Sequence, residues 1–140
     1  MILRAEEAEL VEEPDNGLVM RRLVNRETHW SSVSATWVAL EGRHQRLRND
    51  HSDRIYYVLE GSARFILDGV ELGTARAGDA VLIPRGTPYE LEGHLRYLVV
   101  SAPATHVTDN VYLEGERMTT DANARLRAIG PGSDAPEAGR

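Results

Sequence analysis

The chain has 140 residues, 41% hydrophobic and 27% charged, with a formal net charge of −6; that is enough for one core without staples, in the proportions of an ordinary globular protein. Cysteine is absent and all 16 basic residues are arginine, which removes disulfides, thiol nucleophiles, thiolate metal sites and lysine Schiff bases. The acidic balance argues against a nucleic-acid partner, no apolar run nears the roughly 20 residues that span a bilayer, and the start lacks the pattern of a signal peptide, so a cytoplasmic protein with no membrane partner is expected.

Residues 1–17 read as an acidic lead-in, because a run such as Glu6, Glu7, Glu9, Glu12 and Glu13 stays in water. Pro14-Asp15-Asn16-Gly17 closes it with a strong turn signal. Residues 18–24 and 30–40 are rich in Val, Thr, Trp and Leu with short alternation, hence strands. Residues 43–53 are too polar for a core element, though Arg46, Arg48 and Asp50 share one side if extended. Residues 55–59 are aromatic and β-branched, a strand ended by Glu60-Gly61. Asp68-Gly69 between apolar runs predicts a hairpin. Strands follow at 80–83 and 95–100, with a rigid turn at 84–88 and a short strand near 111–113. From residue 119 the composition shifts to Ala, Arg, Gly, Pro and Asp, which predicts a flexible tail over 119–140, disordered or partly helical. Residues 18–118 then form a single all-β domain, a sandwich or barrel.

Two segments carry a resemblance. Residues 42–61 read GRHQRLRNDHSDRIYYVLEG, and residues 78–89 read GDAVLIPRGTPY. Their glycines, proline and spacings resemble the paired motifs of the cupin family, which implies a jelly-roll β-barrel. In that family two histidines, a glutamate and a third histidine bind a divalent metal inside the barrel. The matching positions here are Arg48, Asp50, Arg54 and Tyr89. Guanidiniums repel a cation and offer no lone pair, so neither metal nor other cofactor is expected. The family also implies a homodimer through strand exchange, with residues 18–24 as the candidate strand.

If the strands alternate as the family's do, Arg48, Asp50, Arg54 and Tyr89 converge inside the barrel, with Tyr56 following Arg54 on the same face and Tyr57 pointing outward. Arginine suits bidentate recognition of a carboxylate or phosphate. Arg48 and Arg54, with Tyr56 and Trp37 as wall, would then bind an anionic or polyoxygenated small molecule. Asp50 would act as base or orienter and Tyr89 as acid. The expected function is a metal-independent isomerase, epimerase, lyase or cyclase. Three alternatives stand beside it: a salt-bridged plug of Arg48, Asp50 and Arg54, a non-catalytic cupin that binds a small molecule or a partner protein, and a metal-dependent oxygenase with ligands relocated to His44, His51 and His94. Trp30 and Trp37 read as core or pocket wall.

Overall fold

The computed structural model of the protein describes residues 1–114; the expected tail at 119–140 lies outside them. Eight strands follow in chain order: β1 (Glu9–Glu13), β2 (Leu18–Val24), β3 (Ser34–Asn49), β4 (Asp53–Leu67), β5 (Val70–Arg76), β6 (Ala80–Ile83), β7 (Tyr89–Ala102) and β8 (Asn110–Tyr112). The only α-helix among the described residues is one turn, α1 (Arg26–His29), capped by Asn25, whose side chain accepts from the Thr28 N–H. No helix among them is long and apolar enough to cross a membrane.

All pairings are antiparallel, in the order β1-β2-β3-β7-β4-β5, with β6 on β4 and β8 on β3. Three strands exceed the usual length: β3 has 16 residues, β4 has 15 and β7 has 14. Each serves two sheets. The first sheet holds β1, β2, the first half of β3, the second half of β7, the first half of β4, and β6. The second holds β8, the second half of β3, the first half of β7, the second half of β4, and β5. The fold line runs where Gly42 faces Gly93 and Gly93 faces Ala63. A Cβ on Gly93 would lie 2.3 Å from the Ser62 carbonyl oxygen, so only glycine lets the strands approach there. This is the expected all-β jelly roll, its core between the sheets and built on Leu40, Val58, Phe65, Leu91 and Tyr97.

Several local readings hold. Asp68-Gly69 closes the β4–β5 hairpin, and β6 covers the expected residues. Others are corrected. The acidic lead-in does not lie wholly in water, since β1 pairs with β2 along its whole length and buries Val11 and Glu13. The polar residues 43–49 continue β3 rather than leaving the sheet, because their charged members face water while Leu47 and His44 are buried. Trp30 is 89% exposed; it ends α1 in a left-handed conformation, φ 54°, outside any strand alternation.

Candidate active site

Alternation places Arg54, Tyr56 and Val58 of β4 inward, and Tyr57 outward, as expected. Across the sandwich, β7 sends Tyr89 inward from the second sheet. The two sets meet: Arg54 Nη1 donates to Tyr89 Oη at 2.8 Å, and the Tyr56 and Tyr89 hydroxyls share a hydrogen bond of 2.7 Å. Tyr97 stacks on Tyr56 with ring centroids 4.7 Å apart. Burial raises the Tyr56 and Tyr97 phenols well above their usual range, so both remain protonated and able to donate.

A cavity of about 80 Å³ opens beside this group. Arg54, Tyr56, Tyr97 and Ser101 wall it from the first sheet, His44, Leu47 and Tyr112 from the second. Tyr89 is not in the wall; it stands behind Arg54 and Tyr56 and holds both. At the rim Arg22 is met by Glu9 and Glu27 at 2.9 and 2.8 Å. Buried His106 joins the rim, its Nε2 3.4 Å from Glu27.

His44 is the residue of the Arg54 cavity that motif spacing missed. It lies 5% exposed, stacked parallel to Tyr112, with Nδ1 2.8 Å from the Gln45 carbonyl oxygen. A carbonyl only accepts, so Nδ1 carries the proton and Nε2 keeps a lone pair. Burial lowers its pKa to about 4; the Gln45 hydrogen bond opposes this, and the nearby Arg54 and Arg43 charges add to it. The signal lay in parity: Val38, Leu40, Gly42 and His44 fall on one face.

Arg48 and Asp50 do not join the site. They pair with each other at 2.7 Å, 33% and 57% exposed in their side chains. The cause is a bulge. His44 faces Leu91 but Leu47 faces Tyr89, three steps on β3 against two on β7. One extra residue turns every later side chain to the opposite face, so Leu47 and Asn49 point in and Arg48 and Asp50 point out. The expected convergence of four residues is thus a convergence of two, and an Arg48–Asp50–Arg54 plug cannot form. Trp37 is also outside the cavity, since its neighbour Val38 faces in and Trp37 aligns with Leu98 and Tyr57 on the outer face. The relocated metal set does not assemble either: His44 is inside, His51 is exposed in a turn, and His94 is exposed on Glu41.

The residues present do not fit the metal of the cupin family. Of the four matching positions, only Arg54 and Tyr89 reach the interior, and the first is a cation without a lone pair. Among the described residues no three His, Cys, Asp or Glu side chains group to hold a metal ion.

No protein-family model matches the chain, and no curated protein does. Solved structures do. Pac13 from Streptomyces, in a tyrosine-to-phenylalanine variant with uridine, superposes with a TM-score of 0.72 at 23% identity, covering 81% of this chain and 90% of that one; Pac13 is described as a nucleoside dehydratase. The polyketide cyclase RemF from Streptomyces resistomycificus gives 0.61 at 23% identity, covering 73% and 78%. An RmlC-like cupin from Shewanella frigidimarina gives 0.60 at 19%, covering 74% and 90%. These likenesses are of fold, and they agree with the two glycine-bearing segments and with the two-sheet topology: the protein has the cupin fold.

Proposed function

We propose that the barrel is the active site of a small-molecule enzyme that works by acid–base chemistry without a metal, as a lyase, isomerase or cyclase on a polyoxygenated or acidic substrate. The carrying observation is the chain Arg54–Tyr89–Tyr56, which ends at a cavity also walled by a neutral histidine of fixed tautomer. In an elimination His44 Nε2 takes a proton from substrate carbon, the electron pair forms the double bond, and the C–O bond breaks. The leaving hydroxide takes the Tyr56 proton and departs as water. Arg54 donates to Tyr89, which frees Tyr89 to donate to Tyr56 and Tyr56 to donate into the cavity. Pac13 supports writing elimination first: its solved variants with uridine alter a histidine or one of two tyrosines.

The test is a panel of hydroxy acids, nucleosides and polyhydroxylated rings incubated in D2O with chelator, followed by NMR. Conversion or deuterium incorporation that disappears in His44→Gln and Tyr56→Phe is expected. Conversion that survives both substitutions, or that needs added metal, refutes the reading. Binding without conversion across the panel would favour a non-catalytic cupin.

A homodimer belongs to the same proposal, by a route other than strand exchange, since β2 is already hydrogen-bonded on both sides by β1 and β3. The outer face of the second sheet is charged, with Arg43 on Glu90 and Glu114 and Arg64 on Glu92. The outer face of the first sheet carries an uncharged patch, with Trp37, Leu98 and Tyr57 in one row and Val100, Ile55 and Leu82 in the next, bordered by Arg21 beside Trp37 and by the Arg96–Glu60 pair. An uncharged patch is complementary to its own copy, as a two-fold interface requires.

A further inference from the structure

Among the described residues the cavity wall contains two arginines and no aspartate or glutamate. Arg22 is neutralised by Glu9 and Glu27. Arg54 has no acid. It is 7% exposed, gives Nη1 to the uncharged phenol of Tyr89, and leaves Nε buried without an acceptor. A guanidinium does not shed its proton in a protein, and a buried charge without a counter-ion is among the most costly arrangements a fold can hold. A chain with net charge −6 had carboxylates to spare, yet none from the described residues is placed here.

The geometry points to Arg54 as the seat of a monoanionic carboxylate on the small molecule that the barrel takes, an inference that rests on reading the cavity as a substrate site. One uncompensated positive charge matches one negative charge. A phosphate monoester brings about −1.5 to −2 and would leave an excess with no second free cation in the wall. Nε and Nη2, the donors not committed to Tyr89, form the edge of the fork that takes both oxygens of a carboxylate by parallel bonds. Ser101 and Ser34 stand beside Arg54 in the same row of neighbouring strands and can donate hydroxyl protons. The rest of the wall mixes Met20, Val38, Val99 and Tyr97 with Thr36, Thr105 and Asn110, so the body of the ligand is compact, with an apolar face and a few hydrogen-bonding groups. Binding also bears on the chemistry. The Arg54 charge is one of the causes that depress His44, and a bound carboxylate cancels part of that field, making His44 a stronger base when substrate is present.

The full chain is titrated with acetate and benzoate, with acetamide and benzamide as neutral isosteres, and with inorganic phosphate. The readouts are calorimetry and the Arg54 Nε–H resonance. Saturable binding of the carboxylates, with the Nε–H signal moving, is expected. Affinity should fall about tenfold or more in Arg54→Met, the loss of one charge-assisted contact, and should hold in Arg48→Met on the outer face. Equal binding of the amides, preference for phosphate, or an unmoved Nε–H signal overturns the assignment; that last readout needs no variant, so a misfolded Arg54→Met does not blunt the test. Because no turnover is involved, carboxylate binding with no conversion of any acid would sink the enzyme and leave the subsite. Conversion of neutral substrates with no carboxylate binding would do the reverse.

Discussion

Lowering the pH tests the placement of His44 directly. Its imidazole, ordinarily at 6.5, is pushed down to about 4 in the fold, first by burial. As pH falls through 6.5 the unfolded chain takes up this proton while the folded chain refuses it. Stability attributable to His44 is therefore complete above pH 6.5 and is lost progressively until about pH 4. A gap of about two and a half pH units, at about 1.4 kcal/mol per unit, comes to about 3 to 4 kcal/mol in all, and about 2 kcal/mol of it falls between pH 7 and pH 5. The assay is urea unfolding of the wild type and His44→Phe at both pH values. Phenylalanine keeps a flat ring against Tyr112 and cannot titrate. Every other titrating group is common to the two proteins and cancels in the difference. The wild type should lose about 2 kcal/mol more than the variant on acidification. Parallel losses, or a His44 resonance titrating near 6.5, would refute the argument that this ring is buried and neutral.

Three further outcomes are expected. Gly61→Ala should cost more than about 3 kcal/mol or prevent folding, because its Cβ would stand 2.1 Å from the His94 carbonyl oxygen and 2.8 Å from Leu95 Cα with φ at +77°. Gly42→Ala, at φ +111° with nothing within 4 Å, should cost only about 1–3 kcal/mol of backbone strain; equal losses by calorimetry would contradict the packing at the fold line. Tyr89→Phe strands Arg54 Nη1 and should cost about 1–3 kcal/mol, whereas the double change with Arg54→Met should cost less than the two single losses added; strict additivity in unfolding measurements would deny the pair. Tyr57→Glu should convert a dimer to a monomer by light scattering without loss of the near-UV signal; a wild-type monomer would dispose of the interface.

What the sequence made legible was local. Asp68-Gly69 and the four residues of β6 could be read because a turn's chemistry and a short apolar run need no distant partner. β1 could not, since a row of glutamates becomes a strand only because β2 supplies the other half of the ladder. Residues 43–49 looked too polar because one face of that half-strand meets water, and composition averages the faces. Tyr56 inward and Tyr57 outward followed from alternation counted along an undisturbed stretch. The same counting failed for Arg48 and Asp50 because spacing between motif residues records number and not parity, and a bulge changes parity without changing the number. His44, upstream of the bulge, kept the register of Val38 and Leu40 and was overlooked because it did not stand at a ligand position.

That one extra residue in β3 also bears on whether the interior is a plug or a pocket. Had the strand run in register, Asp50 would have turned inward on the wall that carries His44, and a carboxylate would have been available to Arg54. The bulge instead exports Asp50 together with Arg48, and the two satisfy each other at the surface. The exchange leaves the interior with a positive charge, a chain of phenols and a neutral imidazole, and with no acid in the described wall. A divalent metal would have offered Lewis acidity to a bound oxygen. A guanidinium offers only directed N–H donors and one unit of charge. On the proposed reading, the chemistry of this barrel would run through proton transfer between side chains and substrate, and the charge left without an acid in the described wall would be the feature by which an acidic molecule is held.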